Sequence, residues 1–593
     1  MKKCILSLTT SGHGVGCSLC IDGKIVGATT LERITRKKYD ILLPITKMDL
    51  ETFGWHGNPN MYQESIDLPF DLDADYRSLD FNDLESFQRL IDYVLSIGGV
   101  DIGDVDTVTY SYRYNENVKK YFAEKNRRIE FIVPEHHLSH ACQAFLPSPF
   151  DEAAIMVVDG QGVPLARKGY DQLSGCLAYG KGNEIDLLWE FPVRQSLGGL
   201  YSCITKICGF KTNEECKTMG LASYGSMEYF DILRKEIKYD SYELDIRNIL
   251  RLIRNGSIPE KQLYSFGQMN SLLRKYKPRA KDEPYSDMYK SIAQAGQKIA
   301  EEVVIYLANW LFEKTGSKNL CIAGGVGLNC VANYQVLSKT KFENIFIYPN
   351  AGDNGLPVGQ ALYAYTMLAR NPRVYIASHD CLGKEYASEE VRNAVDAYRD
   401  KEEIRIVEFK NMQDLYNVMA QHIEAGSITS WWQGRSEYGP RALGNRSILA
   451  DPRNKDMKDI LNSRVKFREG FRPFTPSVLK ERSREFFMLD IESPYMLLAP
   501  NVQPGKSEIV PAITHVDNTA RVQTVDREIN ERYYNLIKAF ERRTGVPILL
   551  NTSFNVAGEP IVETPEDAIK CFLSTDIDVL GIDHFFLSKI KSK

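Results

Sequence analysis

The segment Pro134-Glu135-His136-His137-Leu138-Ser139-His140 holds residue types whose spacing suits ion binding. His136 and His140 are four apart, so a helix projects both imidazoles from one face toward a shared ligand. Pro134 suits the start of such a helix, and Pro147 stops its continuation. Carboxylates occur where apolar runs break into glycine, in Val158-Asp159-Gly160-Gln161-Gly162 and in Asn350-Ala351-Gly352-Asp353-Asn354-Gly355. Two imidazoles with carboxylates at strand ends read as a divalent-metal site. The competing reading is a pair of core or surface histidines.

A second concentration lies in Gly434-Arg435-Ser436-Glu437-Tyr438-Gly439-Pro440-Arg441-Ala442-Leu443-Gly444-Asn445-Arg446 and in residues 464–475. Guanidinium forks match phosphate or carboxylate oxygens, and glycine lets backbone N–H groups close in. Arginines on a solvated helix would show acidic partners four residues away. Arg435, Arg441 and Arg446 have only Glu437 at hand. They read as a polyanion pocket, and one compact cluster suits a small phosphorylated molecule better than a nucleic-acid backbone. Residues 320–329 run from an apolar strand through Gly324-Gly325-Val326-Gly327 toward a helix. That layout offers backbone N–H groups to a phosphate; a tight turn without a ligand is the alternative.

The elements that position these groups form a chain of 593 residues, too long for one core, so two or three domains are expected. A composition of 43% hydrophobic and 25% charged residues is that of a globular protein. A net charge of -5 disfavours a nucleic-acid partner. No apolar run is long enough to suggest a membrane partner, and Met1-Lys2-Lys3 leads straight into a strand rather than a signal peptide. A cytoplasmic location is therefore expected. Cys17 and Cys20 lie in a strand where positions three apart face opposite sides, so they read as reduced, buried thiols.

Apolar runs at 4–8, 17–21 and 24–30, with Asp22-Gly23 between the last two, predict a hairpin. Runs at 155–158, 175–180 and 185–191 repeat that plan and point to an internal duplication. Residues 288–315 follow a helical period. Asn371-Pro372 and Gly383 break the pattern, which places a boundary between a domain at 1–372 and one at 385–593. A buried strand at 548–551 and a capping box at Thr564-Pro565-Glu566-Asp567 follow.

With both sites in view, the chain resembles the O-carbamoyltransferase family, which modifies antibiotics, toxins and nodulation oligosaccharides. The matching segments are 136–150, 322–333, 351–359, 434–452, 464–477 and 551–562. The resemblance implies an α/β protein, with an N-terminal duplicated actin/Hsp70-like (Kae1-like) ATPase fold joined to a C-terminal YrdC-like α/β domain. It implies that the C-terminal domain makes carbamoyl adenylate from carbamoyl phosphate and ATP, with Mg accompanying the nucleotide. The N-terminal domain then passes the carbamoyl group to an acceptor hydroxyl. By this resemblance His136, His140, Asp159 and Asp353 hold iron(II) or another divalent metal. Gly325 and Asn329 contact nucleotide, while Arg441, Lys466, Arg472, Arg521, Asn551 and Ser553 hold carbamoyl phosphate and nucleotide. Lys38 lies near the adenylate, and His13 is the general base.

Two departures stand out. The family pairs the base with a following aspartate, and here the pair is His13-Gly14. Residues 42–87 form an acidic, aromatic, largely aperiodic stretch, read as part of the acceptor pocket or a lid. The acceptor is expected to be a small-molecule or glycan hydroxyl, with a hydroxymethylated nucleobase kept open; an oligomer is compatible with the sequence. Two other readings share the folds. A tRNA threonylcarbamoyl transferase fusion is disfavoured by the net acidity. A non-enzymatic actin/Hsp70-like ATP-binding module is disfavoured by the arginine cluster and the metal quartet.

Overall fold

A computed structural model describes residues 3–11, 14–38, 84–110, 116–126, 128–162, 173–192, 195–211, 213–236 and 276–590. Strands β1 (Cys4–Ser11), β2 (Gly14–Ile21) and β3 (Lys24–Thr30) form an antiparallel meander. Asp22 and Gly23 take φ of 50° and 81°, the positive values that a tight hairpin turn between β2 and β3 demands. Strands β4 (Thr107–Tyr110) and β5 (Glu130–Ile132) add in parallel beside β1. The order is β3-β2-β1-β4-β5.

A second sheet repeats this plan. Strands β6 (Glu152–Val158), β7 (Leu173–Lys181) and β8 (Glu184–Pro192) form the antiparallel part. Strands β9 (Asn319–Ala323) and β10 (Asn344–Ile347) add in parallel, giving β8-β7-β6-β9-β10. Order and strand sense match the first sheet; the repeated sequence plan covers the three antiparallel strands of each, and the parallel pairs extend the likeness. The long helix appears as Asp287–Thr315, closed by Gly316 at φ 66°.

Strands β11 (Ile404–Glu408), β12 (Thr429–Trp432), β13 (Arg446–Ala450), β14 (Thr475–Leu479), β15 (Gln523–Val525), β16 (Ile548–Ser553), β17 (Val579–Ile582) and β18 (Phe585–Lys589) form one mixed sheet. Its order is β11-β18-β17-β12-β13-β16-β14-β15. Thr564 caps the helix Pro565–Leu573 through the expected box with Asp567.

The first sheet is covered on both faces. Cys4, Leu6, Leu8, Cys17 and Leu19 join one core, while Ile5 and Cys20 join the core under the second sheet. Cys17 and Cys20 are therefore buried on opposite faces as free thiols. A third core surrounds the eight-stranded sheet. Residues 369–387 carry no helix or strand beyond a bridge from Cys381 to Glu437. They are nonetheless strapped down: Arg373 donates to the carbonyls of Leu146 and Phe150, and Leu382 accepts from the Ala28 N–H.

Of the stretch 42–87, residues 84–87 open the helix Leu84–Gly98, because Phe87, Leu90, Ile91, Val94 and Leu95 share one buried face. The rest of it lies outside the described residues. Among the described residues no helix is long and apolar enough to cross a membrane.

Candidate active site

The parallel strands β6, β9 and β10 end on one side of their sheet, where crevices in such sheets collect ligands. Asp159 follows β6, Gly325 follows β9, and Asp353 lies six residues beyond β10. The helix His136–Phe145 packs across these ends, with Glu135 in the cap position after Pro134. His136 and His140 sit one turn apart, ring centroids 4.9 Å from each other.

His136 Nε2 lies 3.3 Å from Asp159 Oδ2 and 3.7 Å from Asp353 Oδ1. His140 Nε2 lies 3.2 Å from Asp353 Oδ1 and 3.8 Å from Asp159 Oδ2. Asp159 Oδ1 accepts the Gly325 N–H at 2.9 Å, which leaves Oδ2 for the imidazoles. Burial works against charge on His136, but the Asp353 and Asp159 carboxylates prevail and hold it above its ordinary value. Burial also opposes charge on Asp159, yet the facing imidazoles keep it well below the carboxylate range. Asp353, pushed up by burial and by Asp159, is likewise brought down by His136 and His140.

One ligand atom from each of the four residues lies within 4.8 Å of the others. An ion about 2.0–2.2 Å from each ligand needs them roughly 3–4.4 Å apart, so this set closes on a divalent cation with small movements. Two imidazoles and two carboxylates also have the charge and donor type for one. The quartet expected from the sequence is thus assembled as a candidate metal centre.

A cavity of about 970 Å³ reaches the two carboxylates of the quartet and is lined at that end by Asp159, Gly325, Asn329 and Asp353. Its other walls carry Lys38, Arg441, Lys466, Arg468, Arg472, Arg521 and Ser553. The carboxylates of the quartet and the cations, read from the sequence as two sites, face one space. Lys466 Nζ is held by Asn555 Oδ1 at 2.8 Å, Asn555 O at 2.9 Å and Ser553 Oγ at 3.3 Å. Burial, then the charges of Arg468 and Arg472, press its ammonium well below the usual lysine range. Burial and neighbouring guanidinium groups likewise push Arg468 and Arg521 down to about 9. Crowded cations that destabilise each other's charge mark a place for an anion. Arg441 Nε and Arg521 Nε are buried and have no hydrogen-bond partner among the described residues.

Several expected residues fall elsewhere. Arg435 donates to the carbonyls of Gly383, Val26 and Leu382, and so serves as a strut rather than a pocket wall. Arg446 lies in β13, wholly buried, with its guanidinium spent on backbone carbonyls. The polyanion pocket therefore draws only Arg441 from that segment. Asn551 is buried behind the cavity wall, its amide donating to Ala442 O and Ser477 Oγ. Asn329 lines the cavity while its side chain caps the helix Cys330–Lys339 and meets Gln297. His13 lies outside the described residues. Gly14 beside it has φ of +144°, and a Cβ there would come within 2.4 Å of Asn354 Oδ1. Arg468, like Arg33, Lys211 and Lys217, is a cavity cation that the sequence left unassigned, although its place two residues after Lys466 was a usable signal.

Comparison with known proteins bears on this site. Residues 83–362 match the family model of the carbamoyltransferase N-terminus, and residues 420–589 match that of the carbamoyltransferase C-terminus. An uncharacterised protein of Synechocystis sp. is 36% identical over 99% of this chain and 96% of its own length. The nodulation protein NolNO of Sinorhizobium fredii is 36% identical over 85% of this chain and 74% of its own. The 3'-hydroxymethylcephem-O-carbamoyltransferase of Amycolatopsis lactamdurans is 34% identical over 42% of this chain and 45% of its own. The chain belongs to the carbamoyltransferase family. It is an enzyme of that class, with a candidate metal centre in its N-terminal part.

Proposed function

We propose that this enzyme is an ATP-dependent O-carbamoyltransferase that makes carbamoyl adenylate and delivers its carbamoyl group to an alcohol. The observation that carries the reading is one cavity joining Asp159 and Asp353 of the quartet to Arg441, Lys466, Arg472 and Arg521. In the first stage carbamoyl phosphate and water give carbamate and phosphate. A carbamate oxygen then attacks the α-phosphorus of ATP, accompanied by Mg, and pyrophosphate leaves. Arg441, Arg468, Arg472 and Arg521 neutralise the anions that must approach one another. Lys466 orients the Ser553–Asn555 turn through its hydrogen bonds to Ser553 O, Ser553 Oγ, Asn555 O and Asn555 Oδ1. Lys38 and the Gly325 loop contact the adenylate in the same cavity.

In the second stage the acceptor hydroxyl attacks the carbamoyl carbon. A carbamate ester forms, AMP leaves, and the hydroxyl proton passes to a base, for which His13 is the reading. His136, His140, Asp159 and Asp353 would hold the metal, for which iron(II) is our reading. Such a cation supplies Lewis acidity to an oxygen of the reacting groups. Residues 1–372 form the Kae1-like transfer domain, of the duplicated actin/Hsp70-like fold, and residues 385–593 form the YrdC-like adenylate-forming domain. The acceptor is a small-molecule or glycan hydroxyl. The repeated sheet plan and the separate C-terminal core support this division.

Incubating the enzyme with radiolabelled carbamoyl phosphate, ATP and a panel of hydroxylated acceptors tests the proposal. It expects carbamoyl phosphate-dependent ATP–pyrophosphate exchange and label in one acceptor class. Exchange that responds to threonine and not to carbamoyl phosphate would refute it.

A further inference from the structure

Gln143 lies three residues after His140 on the helix His136–Phe145 and is completely buried. Its carboxamide reaches in two directions. Oε1 lies 2.8 Å from His140 Nδ1. Nε2 donates to the carbonyl of Asn350 and, at 3.3 Å, to that of Gly352. Carbonyls only accept, so the amide has one satisfying orientation; turned over, it would set an oxygen against two oxygens. The oxygen facing His140 must then receive a hydrogen from Nδ1. That leaves the Nε2 lone pair directed at the space it shares with Asp353 Oδ1, 3.2 Å away.

Two glycines line the slot, close against backbone carbonyls as well as this side chain. A Cβ on Gly355 would come within 2.3 Å of Gln143 Nε2, and one on Gly359 within 2.9 Å of Gln143 Cβ. The same amide also fastens the backbone just before Asp353, because the Gly352 carbonyl is its acceptor. One buried group therefore reaches a histidine on one element and the backbone next to a carboxylate on another.

We propose that Gln143 is a positioning residue of the metal centre, fixing the His140 tautomer and the approach of Asp353 together. The inference rests on the metal reading of the quartet. Outer partners of this kind set ligand basicity and direction, and losing one weakens metal binding by about 10–100-fold.

The test is a titration of the metal-free enzyme with Co(II), followed by the d–d absorbance of the bound ion. Gln143→Met keeps the length and removes all three polar contacts; its Co(II) affinity should fall by about 10–100-fold. Gln143→Glu, as a neutral carboxyl, still accepts from His140 and donates to Asn350; its affinity should stay within about threefold of the parent. ATP–pyrophosphate exchange and the melting temperature of each preparation report folding separately. Unchanged affinity in Gln143→Met overturns the proposal. So does an equal loss in both variants, which would make the slot a matter of packing. A parent enzyme that binds no Co(II) would instead overturn the metal reading beneath it.

Discussion

Arg441 and Arg446 come from one arginine-dense segment, yet the fold gives them opposite surroundings. Arg446 donates to Gln433 O at 2.7 Å, Gly434 O at 3.0 Å and Asn445 O at 3.1 Å, and its guanidinium lies 3.9 Å over the Trp432 ring. Arg446→Met keeps most of the volume and strips all four contacts. Asn445 O keeps the Gln433 N–H, so two carbonyls, those of Gln433 and Gly434, lose their donor at about 2 kcal/mol each, and the lost stacking costs about 2 more. Sparing the chain a buried guanidinium returns several kcal/mol, so the net loss is roughly 3 kcal/mol. At about 2–4 °C per kcal/mol, the melting temperature should fall by roughly 6–12 °C. Arg441 faces the cavity, where its Nε has no partner among the described residues and where Arg521 also lies. Arg441→Ala should therefore melt with the parent, while carbamoyl phosphate-dependent ATP–pyrophosphate exchange falls about 10²–10³-fold. Thermal melts and exchange assays well below the melting temperature measure both. If Arg446→Met melted like the parent yet lost exchange, or Arg441→Ala melted early yet kept it, the division between strut and pocket would be refuted.

His140→Ala should stop carbamoyl transfer while leaving pyrophosphate exchange nearly intact; equal loss in both assays would contradict a division of labour within the cavity. The His136 imidazole, held above its ordinary 6.5, stabilises the metal-free fold below that value, and the contribution disappears as pH rises through the raised folded value. Asp159, held below its ordinary 3.8, contributes above that value and loses its effect as pH falls through the lowered one. Urea midpoints of the chelator-treated enzyme should thus be higher at pH 6 than at pH 8.5, by a difference that His136→Gln removes. A difference that survives in His136→Gln would assign it to other groups. Gly14→Asp, which supplies the carboxylate that the resemblance led us to expect after His13, meets Asn354 Oδ1 and a φ of +144°. It should cost about 1–3 kcal/mol in urea unfolding without raising the transfer rate. A variant of parental stability with faster transfer would show that the carboxylate fits.

These outcomes turn on what local pattern can and cannot encode. The quartet was legible because helical spacing and strand-end position are local, and the strand topology brings those ends together unaided. The roles of the arginines were not legible, since in sequence Arg435, Arg441 and Arg446 share one glycine-rich segment with a single acidic residue, Glu437. Their environments diverge through pairing: Arg446 lies opposite Trp432 in the register of β12 and β13, which buries its side chain on that ring. Arg441 stays in the preceding loop, whose Tyr438 hydroxyl donates to Asn354 O beside the quartet. That loop therefore brings its cation to the metal side of the molecule, and two sites share one cavity. Gln143 shows the same limit from the opposite direction. On the helix it is one more polar residue three places after a histidine. Its meaning arises only when the carbonyls of Asn350 and Gly352 arrive from more than two hundred residues away and determine which way its amide must face.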